Sequence, residues 1–222
     1  MPRSKVFLLS PASAHGAKAR PLLEREPRTP FARQLASPEG VALGTVFRYL
    51  SGLYFNGKLL YANAFASPPR TLAGEGVYVI TLAKGLLTPE TPVRSEDVRR
   101  FAEVEMGSEA YGRPLEESAR SLATTMGGEC DAVLLGSVGT GKYTDILLPI
   151  FGRRLLFPPD ILSQGQLERG AFLMRCAKEG RELRYEPVEG LLSAKCDGAR
   201  AASRRVANAL SRRPARDRRG GG

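Results

Sequence analysis

Residues 130–160 read CDAVLLGSVGTGKYTDILLPIFGRRLLFPPD, and this stretch decides the fold. An apolar run at 132–135 leads into a glycine-rich turn, an apolar helical pattern and a second apolar run at 155–157. Strands that alternate with helices in this way are typical of α/β domains with a parallel sheet. The stretch therefore predicts a strand–loop–helix–strand unit.

The glycine-rich turn has part of the spacing of a P-loop. Gly136, Gly141 and Lys142 stand where a P-loop places its two glycines and its lysine. The next position should be a Ser or Thr that holds Mg²⁺, but it is Tyr143, which is too long for that position. Thr144 comes one residue late, about 100° further round a helix.

The glycines are also consistent with a strand-to-helix turn that needs them only for its tight geometry. Two further interpretations of this turn assign it a ligand. In the first, the protein is a degenerate P-loop NTPase that uses Mg²⁺, with Asp160 as the only downstream candidate for the second metal partner. Asp160 follows two prolines, so we expect it in a loop and not at the end of a strand. In the second, the turn binds a phosphate or another anion through backbone N–H groups at a helix N-terminus, without a metal.

Outside this unit, apolar and β-branched runs predict three further strands, at 6–9, 76–82 and 182–188, the last at a sheet edge. Helical periodicity and capping residues predict helices at 17–26, 31–36, 41–66, 95–106, 115–126, 143–151 and 166–179. We predict a three-layer Rossmann-like α/β domain over residues 1–190, with a largely parallel sheet of about five strands. Residues 191–222 are predicted to be an appended helix and a flexible tail rich in Arg and Gly.

In parallel α/β sheets, ligands bind outside the carboxyl ends of the strands. This rule selects a set of ligand-binding candidates: Ser10, Lys84, Gly136, Ser137, Gly139, Thr140, Gly141 and Lys142. It also selects three catalytic candidates: His15, Lys84 and Asp160. Lysines, hydroxyls and glycine amides suit a phosphorylated small molecule, such as a nucleotide or a nucleoside derivative. The residues assign no reaction, and they leave open whether the protein is an enzyme.

The segment VITLAKGLLTPETPV at 79–93 resembles a signature of a small uncharacterised bacterial family of Rossmann-like α/β proteins. Those proteins carry a strand, Ala-Lys, one aromatic or histidine residue, Gly-Leu-Leu and a loop with proline. Here Gly85 follows Lys84 directly, so the intervening residue is missing. The resemblance implies a Rossmann-like fold and a role connected with nucleosides or nucleic acids, and it implies no activity.

Composition excludes several classes of protein. The three cysteines, Cys130, Cys176 and Cys196, are far apart and form no CxxC motif, which indicates a reduced, cytoplasmic protein without a disulfide framework or a zinc site. With a single histidine, His15, the chain has no multi-histidine metal centre. No stretch of 18 apolar residues is present, so we expect no membrane span.

The positive charge of the chain is concentrated at its C-terminal end. Residues 200–222 contain eight arginines and one aspartate, a net charge of +7 out of the total of +10. Such a segment binds phosphate backbones by releasing counterions. This predicts a second alternative function, a nucleic-acid-associated accessory protein that binds through Arg204, Arg205, Arg212 and Arg213. The other interpretation is a solvated basic tail.

Overall fold

The computed structural model describes residues 3–165 and 168–191. These residues contain eight strands: β1 (Ser4–Leu9), β2 (Val41–Ala42), β3 (Val77–Thr81), β4 (Gly85–Leu87), β5 (Pro92–Val93), β6 (Cys130–Leu135), β7 (Leu155–Phe157) and β8 (Glu186–Pro187). Six of them form one sheet in the order β4-β3-β1-β6-β7-β8, and β2 and β5 form a separate antiparallel pair.

The centre of the large sheet is parallel, and both of its edges are antiparallel. β1 lies between β3 and β6 and pairs in parallel with both, and β6 pairs in parallel with β7. The edge strands β4 and β8 run antiparallel to β3 and β7. The predicted α/β class with a largely parallel sheet is confirmed, and so are the predicted strands at the centre.

The sheet has one strand more than predicted because the chain reverses immediately after β3. Gly85 has a φ of 66°, a left-handed conformation that glycine adopts without strain. The segment Gly85–Leu87 therefore folds back along β3 as β4 and does not continue into a loop. The predicted edge strand at 182–188 is shorter in the structure, where only Glu186–Pro187 pairs with β7.

The described helices are α1 (Arg20–Leu23), α2 (Pro30–Ala36), α3 (Leu43–Ser51), α4 (Leu53–Phe65), α5 (Ser95–Glu103), α6 (Glu109–Met126), α7 (Thr144–Phe151) and α8 (Arg169–Lys178). The prediction of one helix over 41–66 is wrong. Gly52, with a φ of 57° and a ψ of −122°, ends α3 and starts α4 in a new direction. The first two residues of the predicted helix form β2 instead.

Helix α6 starts six residues earlier than the predicted start at residue 115. The side chain of Ser108 accepts a hydrogen bond from the backbone N–H of Tyr111, which makes Ser108 the N-cap. Pro114 therefore lies inside the helix and not at its first position. Gly127 ends the helix as predicted.

The core is built around β1 and β6. Residues 6–9 of β1 and 132–135 of β6 are all buried. Helix α4 packs against β1, β3 and α8, whereas α6 packs against β4 and α7. The predicted tail lies almost entirely outside the described residues, and Arg204, Arg205, Arg212 and Arg213 are among those outside.

Candidate functional site

The strand order creates a switch point between β1 and β6. Among the parallel strands, β1 comes first in the chain, β3 second, β6 third and β7 fourth, and they lie side by side as β3-β1-β6-β7. After β1, the chain forms β3 on one side of β1, and it later forms β6 on the other side of β1. In open parallel sheets, ligands bind at the carboxyl ends of the strands at such a point. Here those ends are Leu9–Ser10 and Leu135–Gly136.

Two adjoining recesses open beside these strand ends, and together we call them the strand-end cleft. The first, about 590 Å³, is lined by residues 11–13, His15, Leu82, residues 102–106 and Lys142. The second, about 760 Å³, is lined by residues 106–109, 111–113, Glu116, 140–142, Asp145 and Ile146. Met106 and Lys142 line both recesses. Each recess has a size that is ordinary for a small-molecule site.

The structure brings the predicted candidates His15, Thr140, Gly141 and Lys142 to this cleft. His15 is exposed, and its backbone N–H donates a hydrogen bond to the Ser13 side chain over 3.3 Å. Lys142 lies between the two recesses. Its carbonyl oxygen accepts a hydrogen bond of 2.8 Å from the Tyr111 hydroxyl, so α6 holds the end of the glycine loop in place.

The residue at the P-loop hydroxyl position of the glycine loop, and the residue after it, are both buried. Tyr143 and Thr144 are 6% and 2% exposed, so both side chains of the P-loop hydroxyl position point into the protein. Gly141 has a φ of 72°, and the carboxylate of Asp145 lies against its α-carbon. An acidic side chain is thus packed against the end of the glycine loop.

Lys84 and Asp160 lie elsewhere, and neither is among the residues that line the strand-end cleft. The Lys84 ammonium forms an ion pair with Asp97, and the Lys84 backbone N–H donates to Thr81 Oγ1 over 3.0 Å. Asp160 is exposed on a short 3₁₀ helix, Pro159–Ile161, that follows β7. Its carbonyl oxygen accepts a hydrogen bond from Ser163.

The pair Lys84–Asp97 also holds the start of α5. One Asp97 oxygen accepts a hydrogen bond of 2.8 Å from the Arg94 backbone N–H, as in a capping box. Burial raises the pKa of the Asp97 carboxyl, but the Lys84 and Arg94 interactions outweigh it and lower the pKa below its usual value. The contacts of Lys84 are therefore those of a structural ion pair.

Ser10 and Gly136 meet directly at the switch point. A Cβ placed on Gly136 would lie 2.9 Å from the Ser10 Cβ, so only a glycine fits this approach without a shift. Ser10 is 7% exposed, and its backbone N–H donates to the Leu135 carbonyl over 3.1 Å. The glycine loop thus begins against Ser10, the residue that follows β1.

A lysine that the sequence analysis did not select completes this arrangement. Lys58 of α4 is 1% exposed, and its Nζ lies 2.7 Å from both the carbonyl oxygen and the Oγ of Ser10. It also lies over the rings of Tyr54 and Phe55, 4.7 and 5.3 Å from their centroids. Burial lowers the pKa of Lys58 to about 7. In the sequence, the one feature that could have singled out Lys58 is its position four residues after Tyr54, on the apolar face of the helix.

The cleft also contains acidic residues that the strand-end rule could not select. Glu103, Glu105, Glu109, Glu116 and Asp145 line it, against the two cations Lys142 and Arg113. Four of the five carboxylates come from residues 103–116, which run from the last residue of α5 through the linker into the first half of α6. This segment follows no parallel strand, so only the tertiary structure places it at the cleft.

In residues 3–165 and 168–191, no three His, Cys, Asp or Glu side chains are grouped so that they could hold a metal ion. No helix in this part of the chain is both long and apolar enough to cross a bilayer. Cys130 and Cys176 are buried and free, and Cys196 lies outside the described residues.

Comparison of the chain with protein-family models, with curated proteins and with solved structures finds no match.

Proposed function

We propose that the protein binds a phosphorylated small molecule, a nucleotide or a nucleoside derivative, in the strand-end cleft. The observation that carries the proposal is the position of Lys142. It ends the glycine loop, and it lines both recesses beside the β1–β6 switch point. The parallel order β3-β1-β6-β7 also supports the Rossmann-like interpretation, in which ligands bind at this point.

The distribution of charge favours a ligand with one phosphate group. The Lys142 ammonium and the N–H groups of residues 139–141 supply donors for a phosphate. Glu103 and Glu105 line the same recess as Lys142, and carboxylates accept hydrogen bonds from ribose hydroxyls and base amino groups. Since carboxylates outnumber cations along the cleft, a triphosphate would meet more repulsion than a monophosphate.

The two alternative functions stay predictions. The buried Tyr143 and Thr144 give the degenerate P-loop NTPase no support, because neither side chain is exposed to hold Mg²⁺. The nucleic-acid alternative depends on arginines outside the described residues. It predicts an affinity that falls steeply with salt and is lost when Arg204, Arg205, Arg212 and Arg213 are replaced by Gln.

A thermal-shift titration tests the proposal. The panel contains nucleosides and their mono- and triphosphates, each with and without Mg²⁺. A ligand at about 100 times its Kd stabilises the folded state by about 2.7 kcal/mol. We expect a monophosphate to raise the Tm without Mg²⁺, and we expect Lys142→Ala to remove the shift. The control is Lys178→Ala, an exposed lysine on α8.

Two results would contradict this proposal. If no compound in the panel changes the Tm, the strand-end cleft does not bind nucleotides. If a triphosphate shifts the Tm only with Mg²⁺ and Lys142→Ala removes that shift, the P-loop alternative is correct instead.

A further inference from the structure

The contact between Ser10 and Lys58 has the geometry of a nucleophile with its base. The two side-chain atoms, Ser10 Oγ and Lys58 Nζ, are 2.7 Å apart, within reach for proton transfer. Lys58 also donates a hydrogen bond to the Ser10 carbonyl oxygen, which fixes the amine relative to the serine backbone. Serine nucleophiles activated by a lysine are a known variant of the serine catalytic triad.

A neutral amine is required for this role, and the surroundings of Lys58 favour one. Within the described part of the chain, Lys58 contacts the two Ser10 oxygens and two aromatic rings and forms no ion pair, and burial lowers its pKa to about 7. A buried amine without an anionic partner loses its proton more easily than one in water. At neutral pH, a large share of the molecules therefore carries a Lys58 that can accept the serine proton.

A third polar side chain, Tyr143, completes the cluster. Its hydroxyl interacts with the Ser10 side chain, and Tyr54 lies close to both Tyr143 and Lys58. Arg169 of α8 interacts in turn with the Tyr54 hydroxyl. Burial raises the pKa of Tyr143 to about 12 and raises that of Tyr54 as well, so both phenols stay protonated near neutral pH. Lys58 is thus the member of this cluster that titrates there.

We propose that Ser10 is a catalytic nucleophile, activated by Lys58, that cleaves carboxylic esters reaching it from the side of the strand-end cleft. This activity goes beyond ligand binding, and it does not require that the ligand be a nucleotide. Ser10 does not line either recess; it is 7% exposed and directly precedes Pro11, which lines the first recess. The beginning of the glycine loop lies against Ser10, since a Cβ placed on Gly136 would lie 3.4 Å from Ser10 Oγ.

The reaction proceeds in two steps that balance. Ser10 Oγ attacks the ester carbonyl carbon, and the serine proton passes to the neutral Lys58 amine. The tetrahedral intermediate then expels the alcohol oxygen, which takes the proton back from Lys58, and an acyl-serine remains. In the second step, water attacks the acyl-serine with Lys58 again as the base. The products are a carboxylic acid and an alcohol, and Ser10 and Lys58 return to their starting states.

A carbonyl is favoured over a phosphoryl group as the centre that Ser10 attacks. Phosphoryl transfer spreads negative charge over several oxygens and needs cations around them. The cleft has five carboxylates against Lys142 and Arg113. An ester intermediate has a single oxyanion, which two backbone N–H groups can stabilise. We therefore assign a carboxylic ester as the class of substrate.

Labelling of the full-length chain with a fluorophosphonate probe tests this proposal. The probe forms a bond from the serine oxygen to phosphorus and releases fluoride, and intact-mass and peptide mass spectrometry locate the adduct. We expect one adduct, on Ser10, at a rate that rises with pH and has its midpoint near 7. Ser10→Ala should remove the adduct, and Lys58→Met should slow labelling by at least about 100-fold.

Two exposed residues provide matched controls. Ser121→Ala and Lys178→Met should be labelled at the wild-type rate. Circular dichroism and a cooperative urea transition show whether each variant is folded. If Lys58→Met does not fold, the wild-type pH profile and Ser10→Ala decide the question alone.

Four outcomes would overturn the proposal. These are the lack of an adduct, an adduct on another residue, a rate that does not depend on pH between 6 and 8, and a folded Lys58→Met variant that labels like the wild type. A merely structural Lys58, which only caps the end of β1, would give one of these outcomes. The nucleotide titration has a separate readout, so the failure of either proposal leaves the other intact.

Discussion

Gly57 of α4 and Gly170 of α8 meet backbone to backbone. A Cβ placed on Gly57 would collide with the carbonyl oxygen of Gly170, and a Cβ placed on Gly170 would lie 2.6 Å from the carbonyl oxygen of Leu53. Neither glycine has a positive φ, so the requirement is for space and not for backbone freedom. This contact lets α8 lie directly on the helix that carries Lys58.

We expect Gly57→Ala to destabilise the protein, because a methyl group must push α8 away from α4. The cost should be about 1–3 kcal/mol or more in the free energy of unfolding, as for other overpacked sites. Urea denaturation measures it. Gly112→Ala on α6 is the matched control, since its Cβ would have only Ile146 Cδ1 nearby, at 3.8 Å. That variant should gain up to about 1 kcal/mol from helix propensity, and an equal loss at both sites would contradict the argument.

Because Lys58 is buried, the free energy of unfolding should increase as the pH rises above about 7. Its pKa is about 7 in the folded protein, against 10.5 as the ordinary value. Between these values the unfolded chain binds the proton and the folded chain does not, so stability rises with pH over this window. The slope from this group should approach about 1.4 kcal/mol per pH unit.

Urea denaturation of wild type and Lys58→Met at several pH values from 6.5 to 9.5 isolates this effect. The other groups that titrate there contribute to both proteins, so the difference between the two curves belongs to Lys58. We expect wild type to gain stability relative to Lys58→Met as the pH increases. A difference that is constant with pH would show that Lys58 keeps an ordinary pKa.

Asp97 should stabilise the start of α5. Asp97→Ala removes the acceptor for the Arg94 N–H and the partner of Lys84, and we expect a loss of about 1 kcal/mol. Because the pKa of Asp97 is lowered in the folded state, its contribution is present above its unfolded pKa and is lost as the pH falls through the folded pKa. Thermal denaturation at pH 7 and pH 3 measures both effects.

The comparison for Asp97 is Glu96→Ala, which removes an exposed carboxylate from the same helical turn. It should cost less than Asp97→Ala and should not change the acid sensitivity. Lys84→Ala should also cost less, since half-exposed ion pairs contribute little. If Lys84→Ala abolishes nucleotide binding while the fold is intact, Lys84 has a role at the ligand site that its contacts do not indicate.

The hydroxyl of Tyr61 should stabilise the packing of the segment before β8. This buried hydroxyl accepts a hydrogen bond of 2.8 Å from the Leu183 backbone N–H, and it also contacts the Tyr185 hydroxyl. Tyr61→Phe leaves the buried N–H unpaired, so we expect a loss of about 1–3 kcal/mol. Tyr185→Phe should cost less, because its other hydroxyl partner, Glu182, is exposed. Chemical denaturation of the two variants would reveal the difference, and equal losses would contradict it.

Local signals were sufficient wherever an element is a continuous apolar run between turn residues. β1, β3, β6 and β7 were predicted close to their observed bounds because such runs bury both faces of a parallel strand. The break at Gly52 was missed because the periodicity continues through it, while the glycine adopts a conformation that ends one helix and begins another. The strand β4 was missed because it becomes a strand only through its pairing with β3. That pairing depends on the left-handed conformation of Gly85, which reverses the chain.

The strand-end rule placed His15, Thr140, Gly141 and Lys142 at the cleft, since the carboxyl ends of parallel strands meet at one edge. The rule also selected Lys84, which does not line the cleft. Lys84 forms an ion pair with Asp97, and Asp97 belongs to α5, which follows β4 and β5 in the chain. The rule also did not select the carboxylates of residues 103–116 that line the cleft.

The sequence by itself determined the α/β class and the central strands, because these depend on residues that are neighbours in the chain. Only the tertiary structure decided what surrounds Ser10. Lys58 is 48 positions away along the chain, and it reaches Ser10 because α4 packs on β1 and is held there by α8. The proton affinity of an amine depends on the solvent and charges around it, and for Lys58 these come from distant segments.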